Sequence, residues 1–236
     1  MSNDLSAHKE EHLGSSVFIT DIVIGMSDGL TVPFALAAGL SGAVHSNSVV
    51  ITAGIAEIVA GSIAMGLGGY LAGKTAQEHF QSELKREYDE VEFLPDKEKE
   101  EVKLVFAEYG LNEHTQNLIA DELVKDKHKW VDFMMKYELG LEKPDVNRAR
   151  NSAATIGLSY IIGGLIPLTA YFFTKTPVEG LTISALLTII CLFIFGYFKS
   201  KVTGQPPVQG GIIVTLIGIT AAAAAFLVAK GFNNLF

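Results

Sequence analysis

The chain has a single cysteine, Cys191, so no intrachain disulfide is possible. It has no glycine-rich phosphate loop, which argues against ATP-driven chemistry carried by the chain itself. None of its six histidines stands three residues after a glutamate, so the Glu-x-x-His pairs of a di-iron oxidase are missing. An EF-hand loop is absent, and one cysteine among scattered histidines makes no zinc motif. The opening "MSNDLSAHKEEHLGSS" has no signal-peptide pattern. Charge is also scarce outside one segment: residues 74–150 hold 19 of the 26 acidic side chains and 13 of the 18 basic ones.

What fills the rest is apolar. Runs at 17–44, 47–73, 151–174, 178–198 and 210–230 each approach or exceed the ~20 residues that a helix needs to cross a bilayer. The expected fold is all-α: a polytopic membrane protein with five transmembrane helices and a water-soluble helical insert between the second and third. The domains are then 1–16, a cytoplasmic N-terminal segment; 17–73, spans one and two; 74–150, the insert; and 151–236, spans three to five. Lys9, Lys74, Lys85, Arg86, Arg148, Arg150, Lys199 and Lys201 fall on one side of such a topology, and Lys175 and Lys230 on the other. The positive-inside rule makes the first side, with the N-terminus and the insert, cytoplasmic.

Spans one and two differ in kind from the others. "GMSDGLTVPF" places Asp28 in span one, and "TAGIAEIVAGSIAMGLGGYLAG" places Glu57 and Met65 in span two. At about 1.5 Å per residue these three occupy the middle and cytoplasmic half of two consecutive antiparallel spans. Carboxylates at that depth usually face a bundle interior or a hydrated path. Asp21 lies nearer the cytoplasmic surface, where plain solvation is expected. Pro33 removes a helical hydrogen bond and should restrict Thr31-Val32 toward non-helical geometry. Gly25-x-x-x-Gly29 and the glycines of span two permit close helix contact, within one chain or across a dimer. The Met65 thioether is a soft ligand, and with Asp28 it would make a mixed oxygen–sulfur site suited to a transition metal. Spans three to five carry no ionisable residue at mid-depth and read as scaffold.

The insert reads as helices near 74–92, 97–109, 113–125 and 128–139, with Pro95-Asp96 ending the first and capping the second. Glu87 and Glu90 share one face. Glu98 and Glu101 lie on a stripe with Val102, Val105 and Tyr109, so they point with the apolar residues. In "WVDFMMKYELG", Met134 and Met135 fall on the same helix side as Glu138. Carboxylates buried in this way need partners, and a divalent cation is a good one.

The stretches "SDGLTVPFALAAGLSGA", "TAGIAEIVAGSIAMGLGGYLA", "ELKREYDE", "WVDFMMKYELGLEKPD" and "IFGYFKSKVTGQPP" together resemble the vacuolar iron transporter family, from about residue 17 onward. The resemblance implies a homodimer of five-span protomers that exports Fe²⁺ from the cytoplasm in exchange for protons, without a prosthetic group or nucleic acid. It implies that Asp28 and Met65 are translocation ligands and that Glu57 couples protons. It likewise implies that Glu87, Glu90, Glu98, Glu101, Met134, Met135 and Glu138 are ligands of a cytoplasmic metal-binding domain. Mn²⁺, Co²⁺ and Zn²⁺ are the rival cargoes, in iron storage or detoxification, at a bacterial plasma membrane or a eukaryotic vacuolar membrane. A membrane-anchored ferroxidase or storage protein is the alternative, and the missing Glu-x-x-His pairs weigh against it.

Overall fold

A computed structural model describes residues 17–233, with side chains described to residue 231. The segment 1–16, including Lys9 of the orientation argument, lies outside the described residues. Those described are almost wholly helical: α1 (Val17–Ser41), α2 (Asn47–Phe93), α3 (Pro95–Glu108), α4 (Glu113–Leu123), α5 (Lys127–Phe133), a π-helical turn (Met134–Glu138), α6 (Arg148–Phe173), α7 (Pro177–Val202) and α8 (Pro207–Asn233). No strand occurs among them. Five of the helices, α1, α2, α6, α7 and α8, are long and apolar enough to cross a membrane.

Residues 71–149 form one compact unit, and the residues before and after them form another. In the latter, Ala37 of α1, Val50 and Ile58 of α2, and Leu168 and Tyr171 of α6 make one buried cluster. Phe34 and Ala38 of α1 make a second with Ala222 of α8, against Leu181 and Ala185 of α7. Close backbone approach depends on missing side chains. A Cβ on Gly25 would strike the Ile156 carbonyl, and one on Gly29 the backbone of Tyr160. On α2, a Cβ at Gly66 would lie 3.0 Å from the Ala153 carbonyl oxygen. The glycine faces are therefore used inside the chain, seating α1 and α2 on α6. Asn47 joins the same helices: its Nδ2 donates to the Thr174 carbonyl at 2.7 Å and the Tyr171 carbonyl at 3.1 Å, satisfying groups that the end of α6 leaves open.

Pro33 does not interrupt α1, which stays helical from Val17 to Ser41. Thr31 Oγ1 donates to the Ser27 carbonyl at 2.8 Å, one of the local adjustments by which membrane helices tolerate proline. Nor does α2 break where the apolar run ends near residue 73; it continues to Phe93.

In the 71–149 unit, Phe80 and Val91 of α2, Val102 of α3, Ala120 of α4, Trp130 and Val131 of α5, and Met134 and Met135 form the core. The turns have identifiable causes. Pro95 takes the first helical position of α3, so Asp96 lies inside the first turn and does not cap it. The Asn112 side chain accepts from the Thr115 amide at 3.0 Å and caps α4. Gly110 and Gly140 adopt φ of 78° and 63°, the left-handed geometry that closes a helix. Tyr109, grouped with Val102 by spacing, is exposed because α3 ends one residue before it.

Candidate metal and proton sites

Within the apolar helices, Asp21 and Glu57 each accept a hydrogen bond from a hydroxyl on α6. Asp21 differs from its expected solvation: it is 4% exposed, and its Oδ2 accepts from Ser152 Oγ at 2.6 Å. Distance from the helix start says nothing about which side meets a neighbour, and this side meets α6. Glu57, on α2, accepts at Oε1 from the Tyr160 hydroxyl. Its Oε2 is buried with no hydrogen-bond partner among the described residues. Tyr160 is 2% exposed, and a Cβ on Gly61 would strike its hydroxyl and ring, so that glycine opens the space the tyrosine fills.

Asp28 stands on α1, half-buried, and its carboxylate makes no hydrogen bond or ion pair among the described residues. Met65 is half-buried on α2, eight residues beyond Glu57 and so about 12 Å along the axis. Glu57 is thus held by Tyr160, a residue that reading for charges alone passes over. The usable signal was the tyrosine itself, since a buried phenol in an apolar helix needs a hydrogen-bond partner.

The other constellation lies in the 71–149 unit. Single carboxylate oxygens of Glu87, Glu90 and Glu98 come within 4.8 Å of one another, and so do those of Glu98, Glu101 and Glu138. Glu98 belongs to both groups. The i,i+3 spacing puts Glu87 with Glu90 on α2 and Glu98 with Glu101 on α3. Glu138 arrives by the π-helical turn, in which the Leu139 amide bonds the Met134 carbonyl five residues back at 3.1 Å. Such turns recur at functional sites because they shift one side chain relative to the regular helix.

Glu87 and Glu98 are 1% and 0% exposed. Glu87 Oε2 and both oxygens of Glu98 are buried without a hydrogen-bond partner among the described residues. Burial first, and the neighbouring carboxylates second, push both groups up to about 7. Glu138 is raised for the same reasons. Two cations stand beside the cluster without satisfying it. Lys97 Nζ pairs with Glu101 at 2.8 Å and is 3.8 Å from Glu98, while Arg86 lies 3.5 Å from Glu90 and 3.9 Å from Glu87. Converging, unsatisfied carboxylate oxygens are the donor set of a divalent cation. Met134 and Met135 are fully buried in the apolar core of the same unit, packed with Trp130 and Val102. The structure thus gathers the five glutamates, and it gives the two methionines a packing role whatever else they do.

Residues 19–230 match the model of the VIT family. The chain is 48% identical over 233 residues to vacuolar iron transporter 1 of Tulipa gesneriana, covering 99% of this chain and 94% of that one. It is 51% identical over 227 residues to the vacuolar iron transporter of Centaurea cyanus, covering 96% and 93%. Against Protein CCC1 of Saccharomyces cerevisiae it is 40% identical over 223 residues, covering 89% and 68%.

Proposed function

The chain belongs to the VIT family, and on that premise we propose that it is a proton-coupled antiporter that moves Fe²⁺ out of the cytoplasm. Mn²⁺, Co²⁺ and Zn²⁺ are secondary cargoes, and the role is iron storage or detoxification. The observation that carries the reading is a pair of carboxylates, Asp28 and Glu57, deep in two consecutive apolar helices, one unpartnered and the other with an unpartnered oxygen. Leaving charged groups open in that setting is costly unless a cation or proton uses them.

Residues 74–150 act as the cytoplasmic metal-binding domain. Glu87, Glu90, Glu98, Glu101 and Glu138, with Met134 and Met135, capture the cation there. Asp28 and Met65 are the ligands of the translocation step. Glu57 takes a proton from the far side and gives it up inward as the metal leaves. Inward protons then partly offset the two positive charges carried outward. The working form is a homodimer, and the outward ridge of Ile55, Val59, Ile63 and Leu67 on α2 offers a surface for the second copy.

The reading is tested by Fe²⁺ flux into sealed proteoliposomes under anaerobic conditions, with and without an acidic lumen. The intact chain should load iron faster with the acidic lumen, and Asp28→Ala should be silent. Metal that binds both proteins and crosses with neither would overturn it.

A further inference from the structure

The two cations at the glutamate cluster stand in different relations to it. Arg86 makes its closest contact, 2.9 Å, with Glu83, which belongs to neither group of converging carboxylates. Lys97 makes its closest contact with a member of one group. Its Nζ lies 2.8 Å from Glu101 Oε1 and 3.8 Å from Glu98 Oε1. The ammonium therefore stands at the edge of the Glu98, Glu101 and Glu138 group, on a side chain that is mostly exposed. Helix stability does not account for its place. Pro95 opens α3 and so puts Lys97 in the first turn, where the helix dipole disfavours a cation. In the pair with Glu101 the lysine precedes the glutamate, the weaker order for an i,i+4 pair.

We infer that Lys97 is an internal competitor for the metal: its ammonium occupies Glu101 and Glu98 in the empty cluster, yields to an arriving divalent cation and returns as that cation leaves. The inference rests on the reading of the cluster as a cation-capturing domain. A cation entering this group must displace the ammonium from Glu101 or accept a like charge beside it, and either one weakens binding. On departure the returning ammonium keeps Glu98 and Glu101 from being left as bare, mutually repelling neighbours. Lys97 thus lowers affinity and speeds release. A domain that hands its cation onward needs both, and a storage site needs neither. No bond forms or breaks, and no proton moves.

The test measures Fe²⁺ binding to the intact chain by anaerobic calorimetry. Release is followed by mixing the loaded protein with an excess of a chromogenic chelator in stopped flow. Lys97→Gln should bind about three- to fivefold tighter, the worth of one partly exposed ion pair, and should release more slowly by a similar factor. Lys97→Ala, a good helix former that also removes the charge, should behave alike. Lys99→Gln removes the same charge two residues along α3, from a side chain that pairs with Asp121 of α4 at 2.5 Å. It points away from the cluster and should change both readings by less than about twofold. A lysine that merely braces the glutamates would have the opposite effect, since its loss would let them splay and binding would weaken. Unchanged or weaker binding in both Lys97 variants, or equal tightening in Lys99→Gln, would overturn the inference and leave the capturing domain standing. Binding by the parent that Glu98→Gln does not reduce would instead remove that reading and this inference together.

Discussion

Glu98 is shared by both carboxylate groups, and that position sets what its loss should do. Glu98→Gln keeps the shape and removes one negative charge from each group. Metal affinity of the intact chain should drop at least tenfold by calorimetry, equivalent to about 1.4 kcal/mol or more. Glu138→Gln touches one group only and should cost less. The pH response follows from Glu87 and Glu98 being held near 7, against an ordinary value of 4.5. Below about 7 a cation must displace their protons, so affinity should rise with pH through that value and level off above it. Stability without metal runs the other way. Between 4.5 and about 7 the folded unit holds more protons than the unfolded chain, so the melting temperature should fall as pH rises through that window. Glu98→Gln should flatten part of that slope, and an unchanged slope would mean that the carboxylate is not confined as the structure places it. The inward turn of Glu98 was legible, because it shares a stripe with Val102. The burial of Asp21 was not, because it depends on Ser152, 131 residues away in the chain.

At the scale of elements, the five long apolar helices were plain from length and composition, since lipid leaves a backbone few other options. Two boundaries were not. The end of an apolar run near residue 73 is a change of solvent and not a helix stop, and α2 meets no proline until Pro95. The non-helical geometry expected at Thr31-Val32 is not seen: α1 stays helical through Pro33, with Thr31 Oγ1 bonded back to the Ser27 carbonyl. The glycines had two readings, packing within the chain or between copies, and only the partner atoms decide between them. Gly29→Ala would drive a methyl into the Tyr160 backbone, whereas the space beside Gly68 is open. The first change should destabilise the intact protein by about 1–3 kcal/mol, the range for overpacking a tight contact. Gly68→Ala should leave the melting temperature in detergent unchanged or raise it slightly, because alanine is the better helix former. Equal losses from both would show that α1 is not seated on α6 through Gly29.

For the molecule as a whole, the antiport reading makes the charge division of the sequence a division of labour. The compact unit at 71–149 holds 19 of the 26 acidic side chains, and the apolar helices hold few, Asp21, Asp28 and Glu57 among them. A concentrated acidic surface raises the local cation level and the rate of capture, by roughly 10- to 1,000-fold in focusing sites. It does not by itself carry a cation across a membrane. On the antiport reading the two parts should therefore fail differently when each is damaged alone. Asp28→Ala should retain the metal stoichiometry of the glutamate cluster and the metal-induced rise in melting temperature, because the ligands in that unit are intact. Its flux should be zero at every metal concentration. Glu98→Gln should show the reverse: a KM for Fe²⁺ raised several-fold with a maximal rate close to that of the parent, since a cation at high concentration reaches Asp28 without being captured first. The two variants are to be compared in the same vesicles, over a metal series wide enough to separate KM from the maximal rate. If Glu98→Gln lowers the maximal rate and leaves KM unchanged, the glutamate cluster takes part in the translocation step itself. Capture and transport would then be one operation, and the acidic unit could not be treated as a collector that feeds a separate path.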